Sequence, residues 1–168
     1  MSAAYTLRVT TWLPLPRAQV FEFFTDAFNL EKITPAFLQF SVLTPAPIPM
    51  HQGTLIDYRI GLHGLPMTWK TEIAAWEPPI RFIDRQLRGP YRQWIHLHEF
   101  KDHEEGTLMR DQVDYVIPGP NWFGGLLNRL VVERDVRAIF TYRQQAIEAA
   151  LAVQGRAQHG PITIEPTL

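Results

Sequence analysis

Hydrophobic residues near the C-terminal end of the chain repeat with the period of an α-helix. Between Asn121 and Gln154, at 100° per residue, the apolar side chains fall on one broad arc and the charged side chains crowd the opposite side. Asn121 is a suitable N-cap, Pro118 and Pro120 exclude a helix before it, and Gly155 can end it. We predict one long helix here, which at roughly 45 Å is longer than a small domain needs for packing alone.

Two charged residues, Asp135 and Arg143, lie within this apolar arc or at its edge, beside the small residues Ala146 and Ala150. A charge that faces a dry core costs free energy unless it is paired. The favoured interpretation places Asp135 at the rim of the buried face and lets Arg143 reach solvent or a partner. In the alternative interpretation, the helix covers a partly polar cavity.

Before this helix, apolar and polar residues mostly alternate with the period of a β-strand. Tyr5–Thr11 is the first predicted strand, Pro16 can open a short helix over Arg17–Thr25, and Asn29 can cap a second short helix that ends before Pro35. The strands predicted after these helices are Phe37–Leu43, Thr54–Leu62, Met67–Trp76, Arg81–Arg88, Tyr91–Lys101 and Thr107–Val116. Most of the connections between them are short, so we expect antiparallel pairing.

Composition narrows the class of protein. The chain of 168 residues has 46% hydrophobic and 20% charged residues, which is typical of one soluble globular domain. Its net charge of −1 does not favour nucleic acid or an anionic membrane as a partner. The absence of cysteine excludes disulfides and thiolate chemistry. Because no signal peptide or membrane span is evident either, we expect a cytoplasmic protein.

The end of the long helix sets the predicted domain boundary. We expect one ligand-binding domain over residues 1–155 and a peripheral C-terminal tail over residues 156–168. A neighbouring chain could order this tail, so a homodimer is kept as a prediction.

A bent antiparallel sheet, two short helices after its first strand and a long C-terminal helix together predict an α+β helix-grip fold. The motifs that carry a family resemblance are Gly89-Pro90-Tyr91-Arg92-x-Trp94-x-His96-x-His98-x-Phe100, Gly106-Thr107, Asp111-x-Val113-x-Tyr115-x-x-Pro118, Arg134-Asp135, Phe140-x-Tyr142-Arg143 and the stretch from Asn29-Leu30 to Thr34-Pro35. They resemble the START-like superfamily, also called SRPBCC, which includes polyketide cyclase/dehydrase-like and birch-pollen-allergen-like proteins.

The resemblance covers residues 5–151 and is strongest with a bacterial ligand-binding or cyclase/dehydrase-like branch. It implies a deep cavity between sheet and helix that holds a hydrophobic or amphipathic small molecule, such as a lipid. It does not imply a reaction, because members of this superfamily range from carriers to enzymes.

Strand alternation, independently of the resemblance, assigns side chains to the two faces of the sheet. The strand that holds His96 carries apolar groups on both faces, but the next strand places Val113 and Tyr115 on one face, which we take as inward. If Asp102–Glu105 forms a four-residue turn, His96 lies directly opposite Asp111, roughly 5 Å away. A slip of one residue would move one set of side chains to the other face.

The same reasoning predicts an interior with more polar groups than a dry core can satisfy. Such an interior suits a pocket that holds water or a ligand with a polar head. Asp84 falls on the inward face. The predicted ligand-binding residues are Tyr58, Trp69, Thr71, Gln86, Trp94, His96, His98, Phe100, Asp111, Tyr115, Ile139 and Arg143.

His96 and His98 point the same way from one strand, which is a plausible start for a metal site with Asp111 as the third ligand. The aromatic neighbours and the lack of a second carboxylate instead favour two histidines in a pocket wall, one of them hydrogen-bonded to Asp111. We therefore predict neither a metal nor another cofactor.

A pair formed by His96 and Asp111 could also act as a general base, because the carboxylate orients the ring and raises its basicity. With Arg143 stabilising an enolate, the pair would suit aldol cyclisation or dehydration of a poly-carbonyl substrate. Alternatively, the two residues form a buried polar pair with a structural role, in which they fix the register of the sheet. No nucleophile elbow and no Gly-rich phosphate loop is present in the sequence.

The predicted function is reversible binding of a hydrophobic or amphipathic small molecule between the sheet and the long helix, as a carrier or sensor. The alternative is a cyclase/dehydratase-type lyase that acts on a poly-carbonyl or aromatic substrate in the same cavity, so whether the protein is an enzyme stays open. A cavity filled by side chains would favour a third function, an interaction module.

Overall fold

The computed structural model describes residues 3–119 and 121–167, except for the side chains of Asn121 and Phe123. The predicted helix block at Pro120 and the predicted cap at Asn121 lie outside this part. The elements, in chain order, are β1 (Ala4–Leu13), α1 (Arg17–Thr25), α2 (Asn29–Lys32), a 3₁₀ turn (Ala36–Leu38), β2 (Ser41–Val42), β3 (Leu55–Leu62), β4 (Leu65–Glu77), β5 (Arg81–Arg88), β6 (Gln93–His103), β7 (Gly106–Val116), α3 (Asn121–Leu127), a π-helical turn (Asn128–Val132), α4 (Glu133–Ala150), β8 (Gln158–His159) and β9 (Thr163–Pro166).

The strands form one antiparallel sheet in the order β2-β3-β4-β5-β6-β7-β1-β8, and β9 also pairs with β1. Two shifts of register between β4 and β5 interrupt the ladder near Thr71 and Ala75, and such bulges bend a sheet. The long helix places Val136, Phe140 and Ile147 among buried side chains of the sheet and of α1. The predicted α+β helix-grip fold is therefore confirmed.

The turn between β6 and β7 is shorter than the sequence analysis predicts. Only Glu104 and Glu105 separate the strands, and His103 pairs with Gly106. The register consequently differs by two residues from the predicted one, so His98, not His96, lies directly opposite Asp111. A shift of two residues leaves each side chain on its predicted face, because the side-chain period of a strand is two.

Two other predicted segments differ at their ends. Only Ser41 and Val42 of the predicted strand Phe37–Leu43 pair with β3, because the segment begins within the 3₁₀ turn and Gln39 is left-handed, with φ of 44°. Asn29 is not the cap of α2 but its first residue, and its side chain donates to the carbonyl of Phe23 at 2.9 Å.

The long helix is continuous in its backbone from Asn121 to Ala150, although it contains the π-helical turn. It ends four residues before the predicted Gln154, because Ala152 adopts a left-handed conformation with φ of 55°. No helix in the described ranges is long and apolar enough to cross a membrane.

The C-terminal residues extend the sheet of their own chain. Thr11 pairs with His159, and residues 163–166 of β9 pair with β1 from Tyr5 to Arg8. Arg137 on α4 donates to the carbonyl of Ile162 at 2.7 Å. The tail thus pairs with β1 and contacts α4 of its own chain.

Candidate functional site

A pocket with a volume of about 150 Å³ lies between the concave face of the sheet and α4. Aromatic and aliphatic side chains form most of its wall, and a few polar side chains gather at one end. Eight of the residues that we predicted as ligand-binding line it, and these are Tyr58, Trp69, Thr71, Trp94, His96, His98, Ile139 and Arg143.

Four predicted residues do not line the pocket. Phe100 is fully buried in the cluster that includes Phe21 and Phe24. Tyr115 is also fully buried, and its hydroxyl donates to Asn128 Oδ1 at 3.0 Å. Both point inward, but they pack under the surface of the pocket.

Gln86 and Asp111 support the pocket from behind its wall. The Gln86 amide donates to the carbonyl of Tyr91 at 2.6 Å and thereby holds the loop between β5 and β6, which brings Tyr91 into the pocket wall. Asp111 is 4% exposed and lies behind the two histidines that face the pocket.

Several residues that line the pocket are not among the predicted ligand-binding residues. Asp84 had been placed on the inward face by strand alternation, and Phe140 belongs to the apolar arc of the helix, so a signal existed for both. Leu62 has the same parity as Tyr58 on β3, so alternation assigned it inward as well, whereas Ile33 and Met50 lie in or beside loops, where neither periodicity assigns a direction.

The polar end is built by three neighbouring strands, with β6 in the centre. Asp84 on β5 lies opposite His96, and Asp111 on β7 lies opposite His98. Each carboxylate bonds to the histidine that is diagonal to it. Asp111 Oδ1 is 2.8 Å from His96 Nε2, and Asp84 Oδ2 is 2.8 Å from His98 Nε2.

Aromatic stacking fixes the planes of the two imidazoles. Their ring centroids are 3.7 Å apart, and the His98 ring stacks on Phe82 at 4.1 Å with an interplanar angle of 13°. Phe140 of α4 lies edge-on to His96 at 5.9 Å. The histidines therefore have little freedom to turn.

Burial and pairing give the two histidines opposite pKa shifts. Burial lowers the pKa of His96, and the charge of His98 lowers it further, which outweighs the hydrogen bond to Asp111. Burial acts against the charged form of His98 as well, but the neighbouring carboxylates of Asp111 and Asp84 outweigh it and raise its pKa. Although burial opposes their ionisation, hydrogen bonds to the histidines lower the pKa of both Asp111 and Asp84.

Arg143 brings a guanidinium cation to this part of the pocket. It is 9% exposed, its Cζ lies 4.8 Å from the centroid of the Phe140 ring, and its buried Nε has no hydrogen-bond partner. Burial lowers its pKa, while the charges of Asp111 and Asp84 oppose that shift. Among the described residues no carboxylate forms an ion pair with it. Arg143 is therefore mostly buried and without an ion pair at this position, and the helix covers a partly polar pocket.

Another part of the pocket lining is an aromatic wall. Trp69 and Trp94 meet edge to face at 5.5 Å, and Tyr91 lies 4.8 Å from Trp94. The Trp69 indole donates to Thr71 Oγ1 at 3.0 Å, so its polar atom is satisfied. Burial raises the pKa of Tyr58 and of Tyr91, and each hydroxyl stays neutral.

The sequence matches the model of a known protein family. A family model described as polyketide cyclase / dehydrase and lipid transport matches residues 13–140. The chain belongs to this family. No curated protein matches it.

Solved structures share the fold of the chain. Protein Ms6760 from Mycobacterium smegmatis is 20% identical, with a TM-score of 0.64 over 88% of this chain and 90% of that chain. A protein from Thermus thermophilus, TTHA0849, is 21% identical, with a TM-score of 0.60 over 86% and 98%. Major latex-like protein 151 from Panax ginseng is 15% identical, with a TM-score of 0.61 over 88% and 97%.

Proposed function

We propose that the protein reversibly binds a small amphipathic molecule in this pocket, with the apolar part against the aromatic wall and an oxygen acceptor at Arg143. The observation that carries the proposal is the guanidinium of Arg143, a buried cation that lines a largely apolar pocket and has no carboxylate partner among the described residues. The family description, with its reference to lipid transport, agrees with ligand binding.

The position of Arg143 favours an acceptor in the ligand. A buried N–H without a partner costs about 1–3 kcal/mol, and a carboxylate, phenolate or enolate oxygen would satisfy it with a charge-assisted hydrogen bond. Phe140 and Ile147 lie one turn before and one turn after Arg143 and hold the helix against the core. The guanidinium therefore cannot leave the pocket by a simple rotation of the helix.

The size of the pocket limits the apolar part of the ligand. A volume of about 150 Å³ suits one aromatic ring or a short aliphatic chain, since an apolar cavity of about this size holds benzene. Burial of about 200 Å² of apolar surface contributes on the order of 5 kcal/mol before the cost of association, so useful affinity also requires the polar contact. A larger ligand requires the hairpin β3–β4 or the helix to move.

The test compares two ligands of similar shape, benzoate and toluene, by calorimetric titration of chelator-treated protein. We expect benzoate to bind at least about tenfold more tightly, because only benzoate gives Arg143 an acceptor. Native mass spectrometry of freshly purified protein, followed by extraction, identifies what occupies the pocket in the cell.

Matched variants separate the two halves of the pocket. Arg143→Met should remove the preference for benzoate and leave toluene binding nearly unchanged. Trp94→Ala should weaken both ligands by a similar factor. Arg134→Met, on the exposed side of the same helix, is the control and should change neither. Equal affinity of the unmodified protein for benzoate and toluene would contradict the proposal.

The second candidate is a cyclase or dehydratase that acts on a carbonyl substrate. It is favoured by the two imidazoles in the pocket wall, each hydrogen-bonded to a carboxylate and both near Arg143, which could stabilise an enolate. In this function, His96 would be the acid–base group and Asp111 would orient it. Loss of turnover in His96→Ala with retained ligand binding would favour this enzyme over a carrier.

A further inference from the structure

We propose that Asp84, His96 and His98 form a binding site for a divalent transition-metal ion, with Asp111 orienting both imidazoles. The site lies at the polar end of the pocket but does not depend on the proposed ligand.

The three donor atoms already converge. The Nδ1 of His96 lies 3.8 Å from Asp84 Oδ2, the Nε2 of His98 lies 2.8 Å from the same oxygen, and one ligand atom of each residue falls within 4.8 Å of the others. A metal ion with bonds of roughly 2.0 to 2.2 Å separates neighbouring ligands by about 3 to 3.5 Å. Shifts of less than about 1 Å in side-chain position would therefore complete the set.

Asp111 supplies the outer partner that metal-bound histidines generally have. Its Oδ1 lies 2.8 Å from His96 Nε2 and 3.2 Å from His98 Nδ1, so it faces the nitrogen of each ring that does not face Asp84. The Nδ1 of His98 is buried without an aligned hydrogen bond. A carboxylate behind each imidazole fixes the ring orientation and strengthens the nitrogen that binds the metal.

The position of the site favours a reactive or ligand-binding metal over a structural one. Asp84, His96 and His98 all line the pocket, whereas Asp111 does not, so further coordination positions would open into the pocket. Two imidazoles and one carboxylate with open positions suit Zn²⁺ or Fe²⁺, and Co²⁺ binds similar sites. In the bound state, His98 would carry its single proton on Nδ1, which faces Asp111, and the Nε2 lone pair would bind the metal in place of the hydrogen bond to Asp84.

The prediction of no metal rested on the aromatic neighbours and on the lack of a second carboxylate. Strand β5 supplies that carboxylate, because Asp84 lies directly opposite His96. The nearby guanidinium of Arg143 should weaken the site by electrostatic repulsion, and it should also attract any anion that binds to the metal from the pocket.

The experiment titrates full-length, chelator-treated protein with CoCl₂ and ZnCl₂. We expect one ion per chain, with the visible bands of Co²⁺ bound by nitrogen and oxygen. X-ray absorption of the zinc-loaded protein should show two imidazole ligands, and this measurement requires no variant.

Variants then assign the site. Asp84→Asn and His98→Gln should each weaken binding by more than about 100-fold, and Asp111→Asn by about 10- to 100-fold. Arg143→Met should tighten binding, because it removes a nearby positive charge. His159→Gln is the control, because it breaks a His–carboxylate pair with Glu148 outside the pocket and should leave the affinity unchanged.

Binding that persists in Asp84→Asn, or X-ray absorption without two imidazoles, would mean that surface histidines hold the ion and would overturn the inference. Titration without any bound ion would overturn it as well. Neither result affects the proposed function, because the benzoate and toluene titrations use metal-free protein.

Discussion

At the scale of single residues, the polar end of the pocket depends on the charge of Asp111. This carboxylate is 4% exposed and serves two imidazoles at once. A buried carboxylate without its partners costs free energy, and the buried imidazoles in turn lose stabilisation without the carboxylate. The cluster therefore acts as one unit.

We predict that Asp111→Asn lowers the free energy of unfolding by about 3 kcal/mol, because it leaves the buried imidazoles without their common anion. Urea denaturation measures the change. Asp114→Asn on the same strand, at a half-buried position, is the control and should cost less than about 1 kcal/mol. Equal effects of the two variants would contradict the role given to Asp111.

The alternation of residues largely predicts which side chains lie on the face of the sheet toward the pocket. It does not predict which of these side chains contact the pocket. The period of two correctly places Trp94, His96 and His98 on this face, because an error of two residues in the register does not change the face. Phe100 and Tyr115 share that face but lie where other side chains cover them. Depth below a surface depends on the packing of several elements, and a single strand does not encode it.

At the scale of elements, the π-helical turn Asn128–Val132 is held to the sheet by one buried hydrogen bond. Asn128 is 2% exposed, and its side-chain oxygen accepts a hydrogen bond from the hydroxyl of Tyr115. A π-helical turn breaks the regular hydrogen-bond ladder of a long helix, so it requires such tertiary support.

We predict that Tyr115→Phe lowers the free energy of unfolding by about 1 to 2 kcal/mol, because the Asn128 oxygen loses its donor inside the core. Hydrogen exchange should increase first in residues 128–132. Tyr142→Phe, on the exposed side of α4, is the control. An increase spread evenly over α4 would show that the turn is not anchored by this bond.

Glu148 links the last turns of α4 to the tail. Its carboxylate accepts the backbone N–H of Gly155 and a hydrogen bond from His159, each at 2.7 Å. The N–H of Gly155 and then His159 lower the pKa of Glu148 below its ordinary 4.5. Because the folded pKa is lower than the unfolded one, the link contributes stability above pH 4.5, and this contribution disappears as the pH falls through the folded value.

Acid should therefore release β8 before it unfolds the sheet. Amide exchange of Gln158 and His159, followed by NMR from pH 6 to pH 3, should accelerate relative to β6. Glu148→Gln should show fast exchange in β8 at every pH in this range. Exchange in β8 that stays slow down to pH 3 would contradict the link.

The order and type of most elements could be predicted, and their ends could not. β5 agrees residue for residue with the predicted Arg81–Arg88, because Pro79 and Gly89 mark both of its ends. The length of the β6–β7 turn could not be predicted, because Glu104 adopts a left-handed conformation that is rare for its residue type. Proline-rich residues 44–53 gave no periodic signal at all.

At the scale of the whole molecule, β8 and β9 cover the edge of β1. An uncovered edge presents unpaired N–H and C=O groups to other chains. The predicted domain boundary at residue 155 would leave β1 in that state, although its inward side chains Leu7 and Val9 are buried.

We predict that a chain ending at Gly155 associates through β1. Size-exclusion chromatography with light scattering should show a larger assembly for the shortened chain than for the full chain at the same concentration. Thr6→Lys and Arg8→Pro in the shortened chain should reduce the association, since charge and proline disfavour edge pairing. A shortened chain with the same oligomeric state as the full chain would contradict the role of the tail.

The most direct test of the central claim is the Nε–H resonance of Arg143 in a proton–nitrogen NMR spectrum during titration with benzoate. When the guanidinium gains a carboxylate partner, its Nε–H resonance should shift, while toluene at the same occupancy should leave the resonance nearly unchanged. Arg143→Met identifies the resonance. Benzoate binding that moves only resonances of surface arginines, such as Arg134, would contradict the claim that Arg143 anchors the ligand.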